Sequence, residues 1–321
     1  MSAGPGSALS APRTDSLRIA GSAVVLGTAQ LGEGALLAQG AVVRSYATVV
    51  EIGAGSAVLE NSVVISAPRI PTTIGRRTTF GHRCKVIGAT VGDLCEIGNA
   101  SLLMPEARVG DRVFLGEGTL VPSGMNLPSD VVAVGRPARI VRSASDDDLR
   151  RLTALRDGHL TLPPPTAVTI DQPMERTVTE QLYEYRGIVP TIAASAALFP
   201  TTEITGDVVV GERTIIGAGV KIIGDSHGPV RIGADAQILE NTVLHLLPDN
   251  ELVLEDGVIV GPGAMIHGCR IGAGSVVEPG AIVCDGSVIG TGCLVRAGAV
   301  VKQRSRFEAA TELDGFPAVE V

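Results

Sequence analysis

The residues best able to do chemistry are few. The 321-residue chain has five histidines and five cysteines, and two of the histidines, His245 and His267, stand 22 residues apart. On a β-coil of about 18 residues per turn, with four residues of the polar stretch 248–256 looped out, that spacing stacks the two imidazoles on one face. Rungs of such a coil lie about 4.8 Å apart. Two imidazoles at that separation can share one Zn²⁺ through bonds of about 2.1 Å. The looped stretch adds Asp249 and Glu251, which read either as proton shuttles or as solvated loop tips. The cysteines, Cys84, Cys95, Cys269, Cys284 and Cys293, are odd in number and form no CxxC, which suits a reducing cytosol better than a disulfide framework. Cys95, Cys269 and Cys293 fall within the coil pattern and read as small apolar packing residues. His159 and His227 have no motif around them.

The coil itself is visible in a period of six. Aliphatic residues recur at Val91, Ile97, Leu103, Val109, Leu115 and Val121, and again at Ile271, Val277, Val283, Ile289, Val295 and Val301, with glycine often following. Six is neither a helical period nor simple strand alternation. It describes one inward aliphatic per short strand and then a tight turn, three strands closing a triangular coil. A column of Val, Ile and Leu inside such a prism is too narrow for rings. The composition agrees, with 45% hydrophobic residues but only five Phe, three Tyr and no Trp, alongside 40 Gly.

The two ladders are copies. Leu59-Glu60-Asn61 recurs as Leu239-Glu240-Asn241, Gly88 as Gly268, and Gly135-Arg136-Pro137-Ala138 as Gly315-Phe316-Pro317-Ala318, each pair offset by 180. Upstream of about residue 53 the register slips by one, so that Val42-Val43 faces Lys221-Ile222. The predicted organisation is a floppy polar tail over 1–16 rather than a signal peptide, a first prism over 17–142, a helix and Pro-rich linker over 143–200, and a second prism over 201–321. Ser143 to Arg156 spaces Leu149, Leu152 and Leu155 helically after capping residues and acids, and a further helical turn is expected around Glu180 to Tyr185. A formal charge of −8 and a pI near 5.2 offer no footprint for nucleic acid or anionic lipid, and the apolar run Ile188 to Pro200 is too short to span a bilayer. A soluble cytoplasmic protein is expected.

The period of six resembles the left-handed β-helix of hexapeptide-repeat proteins. Within the second copy, LENTVLH followed by GPGAMIHGC is similar to the part of the γ-class carbonic anhydrases that supplies three zinc-binding histidines. The resemblance covers roughly 17–156 and 201–321 and implies an all-β fold of two tandem β-helices. It places His245 and His267 at the first and third ligand positions, with Pro262 at the middle one. The first copy has Ile65 and Ile87 at the first and third positions but keeps the middle one as His82. In the family the middle histidine comes from a neighbouring protomer, so the resemblance implies one composite Zn²⁺ site of His82, His245 and His267 where a first copy meets a second. The family's Arg-Gly-Asp, associated with subunit contacts, is split in the same way. The first copy keeps Arg44 and the second keeps Asp225, which implies an Arg44–Asp225 pair across that interface. The family acid behind the metal becomes Glu60 and Glu240, while the glutamine associated with the metal-bound solvent is replaced by Leu59 and Leu239.

Three histidines with an open position form the catalytic zinc pattern. The implied chemistry is zinc-hydroxide attack on a small carbonyl, CO₂ or a thioester, as in a lyase, hydratase or hydrolase. A homo-oligomer and a small-molecule substrate are the expected partners. Two rivals stand beside this reading. One is a hexapeptide-repeat acyltransferase using acyl-CoA in a groove between prisms, and the other is a non-catalytic assembly or scaffold protein on the same fold.

Overall fold

The computed structural model describes residues 17–172, 182–199, 201–224, 228–247 and 249–321. Apart from one helix, its elements are short strands, and they wind into two tandem left-handed parallel β-helices, each a triangular prism of three faces. We number the faces in chain order. One coil of the first prism contributes Ala57–Val58, Val63–Ile65 and Thr72–Ile74 to its first, second and third faces, and one coil of the second contributes Gln237–Ile238, Val243–His245 and Leu252–Leu254.

The ladders stack as their period requires. Val91 pairs with Val109, Ile97 with Leu115 and Leu103 with Val121, one coil above the next, and every member of both ladders is buried. Each inward aliphatic sits on another, so a prism core is a column of branched side chains with parallel hydrogen bonding between rungs. The corners need left-handed backbone, supplied not by glycine alone but by residues such as Asn61, Arg83 and Asn241, whose short or flexible side chains tolerate it.

The helix spans Asp146–Leu155. Its cap is Ser145, which forms a capping box with Asp148, and three aspartates occupy its first turn, where the helix dipole favours anions. Leu152 is fully buried. Arg156, just past the helix, pairs with Glu96 and donates to the Arg77 carbonyl at 2.8 Å and the Thr79 hydroxyl at 2.9 Å.

The linker differs from its expected form. Ala167–Gln172 is a strand laid antiparallel on Gly27–Gly32, where it covers the otherwise open lower edge of the third face. The second prism begins before residue 201, because Leu182–Tyr183, Thr191–Ile192 and Ala197–Leu198 already form a coil under Ile204–Thr205, Val209–Val210 and Ile215–Ile216. Tyr183 is therefore in a strand and not in a helical turn, since pairing with the rung above outweighs a weak local helical spacing.

Candidate metal centre

The second face of each prism carries the positions of interest. In the first prism its strands Val42–Arg44, Val63–Ile65 and Lys85–Ile87 are buried along their whole length. In the second prism the equivalent strands Val243–His245 and Met265–His267 bury only their middle residue. The cause is a docking in one direction. The corner between the first and second faces of the second prism lies on the second face of the first, where Phe199 and Ala218 join an apolar cluster with Val42, Val63, Ile65 and Ile87. Asn241 Nδ2 donates to the carbonyls of Gly40 at 3.0 Å and Asn61 at 3.3 Å.

Beneath this corner Arg44 and Glu240 form a buried ion pair, with Glu240 0% exposed. The guanidinium also stacks 4.2 Å from the Tyr46 ring and 4.9 Å from that of Phe199. Burial, with Glu240 nearby, pushes the Tyr46 phenol well above its usual range. The partner expected for Arg44, Asp225, lies outside the described residues, as does His227; the structure gives Arg44 to Glu240 instead. Glu240, expected behind the histidines of its own copy, is taken up by the interprism contact because it stands on the corner that docks.

His245 and His267 come together as expected. They are register partners on adjacent rungs, with ring centroids 5.9 Å apart and planes at 86°. His267 Nδ1 is buried, makes no hydrogen bond and lies 3.5 Å from Asp285 Oδ2. The other Asp285 oxygen accepts from the Leu247 amide at 3.2 Å and from Asn250 Nδ2 at 3.4 Å, so the loop after His245 fixes this carboxylate beside the second imidazole. Asp249 is exposed, and Glu251 lies 3.7 Å from Arg270.

His82 is not brought to that pair. It stands on the free corner of the first prism with its side chain 54% exposed and Nδ1 2.8 Å from Glu60 Oε2. Among the described residues no three His, Cys, Asp or Glu side chains gather to hold a metal. The corner that docks within the chain belongs to the second prism and sets Gly263, next to the buried Pro262, against Lys85 of the strand that also bears Ile87. All three ligand positions at that interface are apolar.

The donors nevertheless suit a metal. Two in-register imidazoles, one with a buried nitrogen that makes no hydrogen bond, lie on half-buried positions of one face. The third imidazole has a carboxylate at Nδ1, the outer-shell arrangement that leaves Nε2 for coordination. Burial pushes the thiols of Cys84 and Cys95 up to about 12, which disfavours the thiolate that binds a metal.

Sequence reading missed Lys85, which is 6% exposed between the prisms beside the Gly263 and Gly280 turns. It also missed the direction of docking. The signal was present, because Val42, Val63, Ile65 and Ile87 are outward apolar residues on a face that solvent would otherwise wet.

The Bacterial transferase hexapeptide (six repeats) family model matches residues 268–303. A carbonic anhydrase of Geobacillus kaustophilus is 40% identical over 104 residues, covering 32% of this chain and 57% of that protein. The carnitine operon protein CaiE of a Proteus species is 30% identical over 140 residues, covering 44% of this chain and 71% of that protein. The chain thus spans little more than half the length of the carbonic anhydrase it matches. A solved hexapeptide transferase family protein from Anaplasma phagocytophilum is 27% identical with a TM-score of 0.42, covering 44% of this chain and 82% of that one.

Proposed function

Because the chain belongs to the γ-carbonic-anhydrase-like hexapeptide-repeat proteins, we propose that it is a zinc-dependent enzyme of lyase or hydrolase type. Its centre joins His245 and His267 of one chain to the His82 corner of another. The observation that carries this reading is the in-register His245–His267 pair on the second prism's second face, where both imidazoles are half-buried. Zinc bound there would make a water molecule acidic enough to act as a nucleophile near neutral pH.

The chain's own residues do the rest. Glu60 stands 2.8 Å from His82 Nδ1, Asp285 stands against the His267 ring, and the ion pair of Arg44 and Glu240 joins the two prisms. A small carbonyl, CO₂ or a thioester is the substrate class that a metal-bound nucleophile suits, and Leu59 and Leu239 in place of the family's glutamine weigh against CO₂ within it. The test is metal analysis of purified protein together with stopped-flow CO₂ hydration and ester hydrolysis. Tightly bound zinc that falls in His245→Ala and His267→Ala supports the proposal, and a protein without zinc-dependent turnover of either substrate class refutes the enzyme reading.

A second reading, acyl transfer, has one observation in its favour. A crevice of about 460 Å³ lies between the far ends of the prisms, lined by Met104, Leu120, Arg136, Arg296 and Phe316 among others. Absence of acyl-CoA binding by calorimetry would dismiss it.

A further inference from the structure

Docking of the prisms buries Lys85 without giving it a partner. Its side chain leaves the second face of the first prism, is 6% exposed, and makes no hydrogen bond or ion pair among the described residues. It ends against two turns of the docked corner that carry no side chain. A Cβ at Gly263 would stand 2.9 Å from Lys85 Nζ, and one at Gly280 would stand 3.7 Å from it. Both glycines are left-handed, with φ of 60° and 67°, so backbone as well as space keeps side chains out of the gap in which the amine ends. Leu102, the register partner of Lys85 on the next rung, forms the remaining wall.

The charges around this amine are of one sign. Arg83 and Arg136 both act against its protonated form, and no carboxylate acts on it among the described residues. The neighbouring Cys84 thiol is kept neutral by burial. Arg136 lies over the same corner, donating to the carbonyls of Gly118 at 2.7 Å and Ala297 at 3.4 Å, and Asp314 acts on it but not on Lys85. Desolvation opposes a charge of either sign at this spot, so the neighbouring cations decide that an anion suits it better than an ammonium. Burial, with the two arginines, lowers the amine to about 8. At pH 8 about half of Lys85 is therefore uncharged, against about one in 250 of an ordinary lysine.

A desolvated neutral amine is a nucleophile, and its enclosure selects a small uncharged electrophile. We propose that Lys85 binds CO₂ covalently, as a reversible carbamate at the seam between the prisms. The nitrogen lone pair attacks the CO₂ carbon and forms a C–N bond, one C=O π pair moves onto oxygen, and a proton leaves the nitrogen for solvent. Amine and CO₂ become carbamate and H⁺, and nothing is oxidised or reduced. The interprism crevice gives the approach, because it reaches Leu120, one rung beyond Leu102 in the ladder that starts at Lys85. The carbamate carries the negative charge that the seam lacks, and repulsion between Lys85 and Arg136 becomes attraction. This is capture of CO₂ and not its turnover, and it requires no metal.

The chain has three lysines, Lys85, Lys221 and Lys302. Lys221 pairs with Glu203 and Lys302 is exposed, so the two serve as internal comparisons. Full-length protein labelled with ¹⁵Nζ-lysine is equilibrated with ¹³C-bicarbonate at pH 8 and followed by nuclear magnetic resonance. One ¹³C carbamate signal split by ¹⁵N is expected in the wild type, lost in Lys85→Met and diminished in Arg136→Ala. The α-amino group also reacts with CO₂, but it carries no label and gives an unsplit signal. Bicarbonate is expected to raise the denaturation midpoint of the wild type and to leave that of Lys85→Met unchanged; Lys85→Gln gives the same comparison if the methionine variant does not fold. Absence of a split signal, or one that survives loss of Lys85, overturns the proposal. A signal undiminished in Arg136→Ala, or carbamate without a rise in midpoint, overturns the attraction across the seam.

Discussion

Lys85 lies between the prisms, and its ammonium makes no hydrogen bond or ion pair among the described residues. Burial, reinforced by Arg83 and Arg136, lowers its pKa from 10.5 to about 8. That gap, at about 1.4 kcal/mol per pH unit, amounts to about 3 kcal/mol of stability withheld from the folded state. Between the folded value and 10.5 the unfolded chain binds the extra proton. The cost is therefore complete below about pH 8 and fades as pH rises toward 10.5. The sister copy has Met265 at this position, so Lys85→Met imports a residue the fold already accepts, of similar length and without charge. The variant is expected to be more stable than wild type by about 2–3 kcal/mol at pH 7, with most of the difference gone by pH 10. Guanidinium unfolding followed by circular dichroism at both pH values measures it, and groups common to both proteins cancel in the difference. A variant no more stable at pH 7, or an advantage the same at both pH values, would falsify the assignment of Lys85 as a strained buried cation.

Other outcomes follow from the same interface. Arg44→Ala and Glu240→Ala should each cost about 3–5 kcal/mol, because each strands a buried charge, and a loss below about 1 kcal/mol in denaturant titrations would show that the pair is hydrated. Gly263→Ala should be destabilising through both its left-handed backbone and its clash with Lys85, and Lys85→Ala should recover part of that loss in a double-mutant cycle; strict additivity would contradict the contact. The triple change Ile65→His, Ile87→His and Pro262→His should add one zinc per chain inside the covered interface, read by metal analysis of folded protein, and an unchanged count would show that this interface does not share the geometry of the free surfaces. Arg156→Ala should loosen the helix over 146–155 and expose 157–166 to limited proteolysis, since the guanidinium holds Arg77, Thr79 and Glu96 together.

The prism was legible in sequence because a period of six admits few alternatives: each buried Val, Ile or Leu of the two ladders declares one rung. His245 and His267 were legible for the same reason, since 22 residues minus a four-residue excursion is one coil. The second prism's early start was legible by the same period but missed: Ile192 and Leu198 extend the spacing of six through Ile204, Val210, Ile216 and Ile222, while the prolines and threonines before them favoured a linker. The pairing of Arg44 was also hidden. Glu240 and Glu60 are identical in the alignment of the copies, yet one is buried against Arg44 and the other lies beside His82. Only the direction of docking tells them apart, and that depends on the outward residues of three strands taken together.

The covalent connection between the prisms changes the thermodynamics of their contact. A helix pinned by Arg156 and a strand zipped onto Gly27–Gly32 end at Gln172, and the second prism begins by Leu182, so the covalent connection holds its corner near its face at an effective concentration on the order of millimolar. For a contact otherwise made between separate molecules at about micromolar levels, this is a thousandfold gain, about 4 kcal/mol. An interface tethered in this way stays closed on dilution and has no need of an ion to hold it. Isoleucine, isoleucine and proline could therefore settle at three ligand positions there without separating the prisms. The untethered surfaces had no such substitute, and it is on them that the histidines remain.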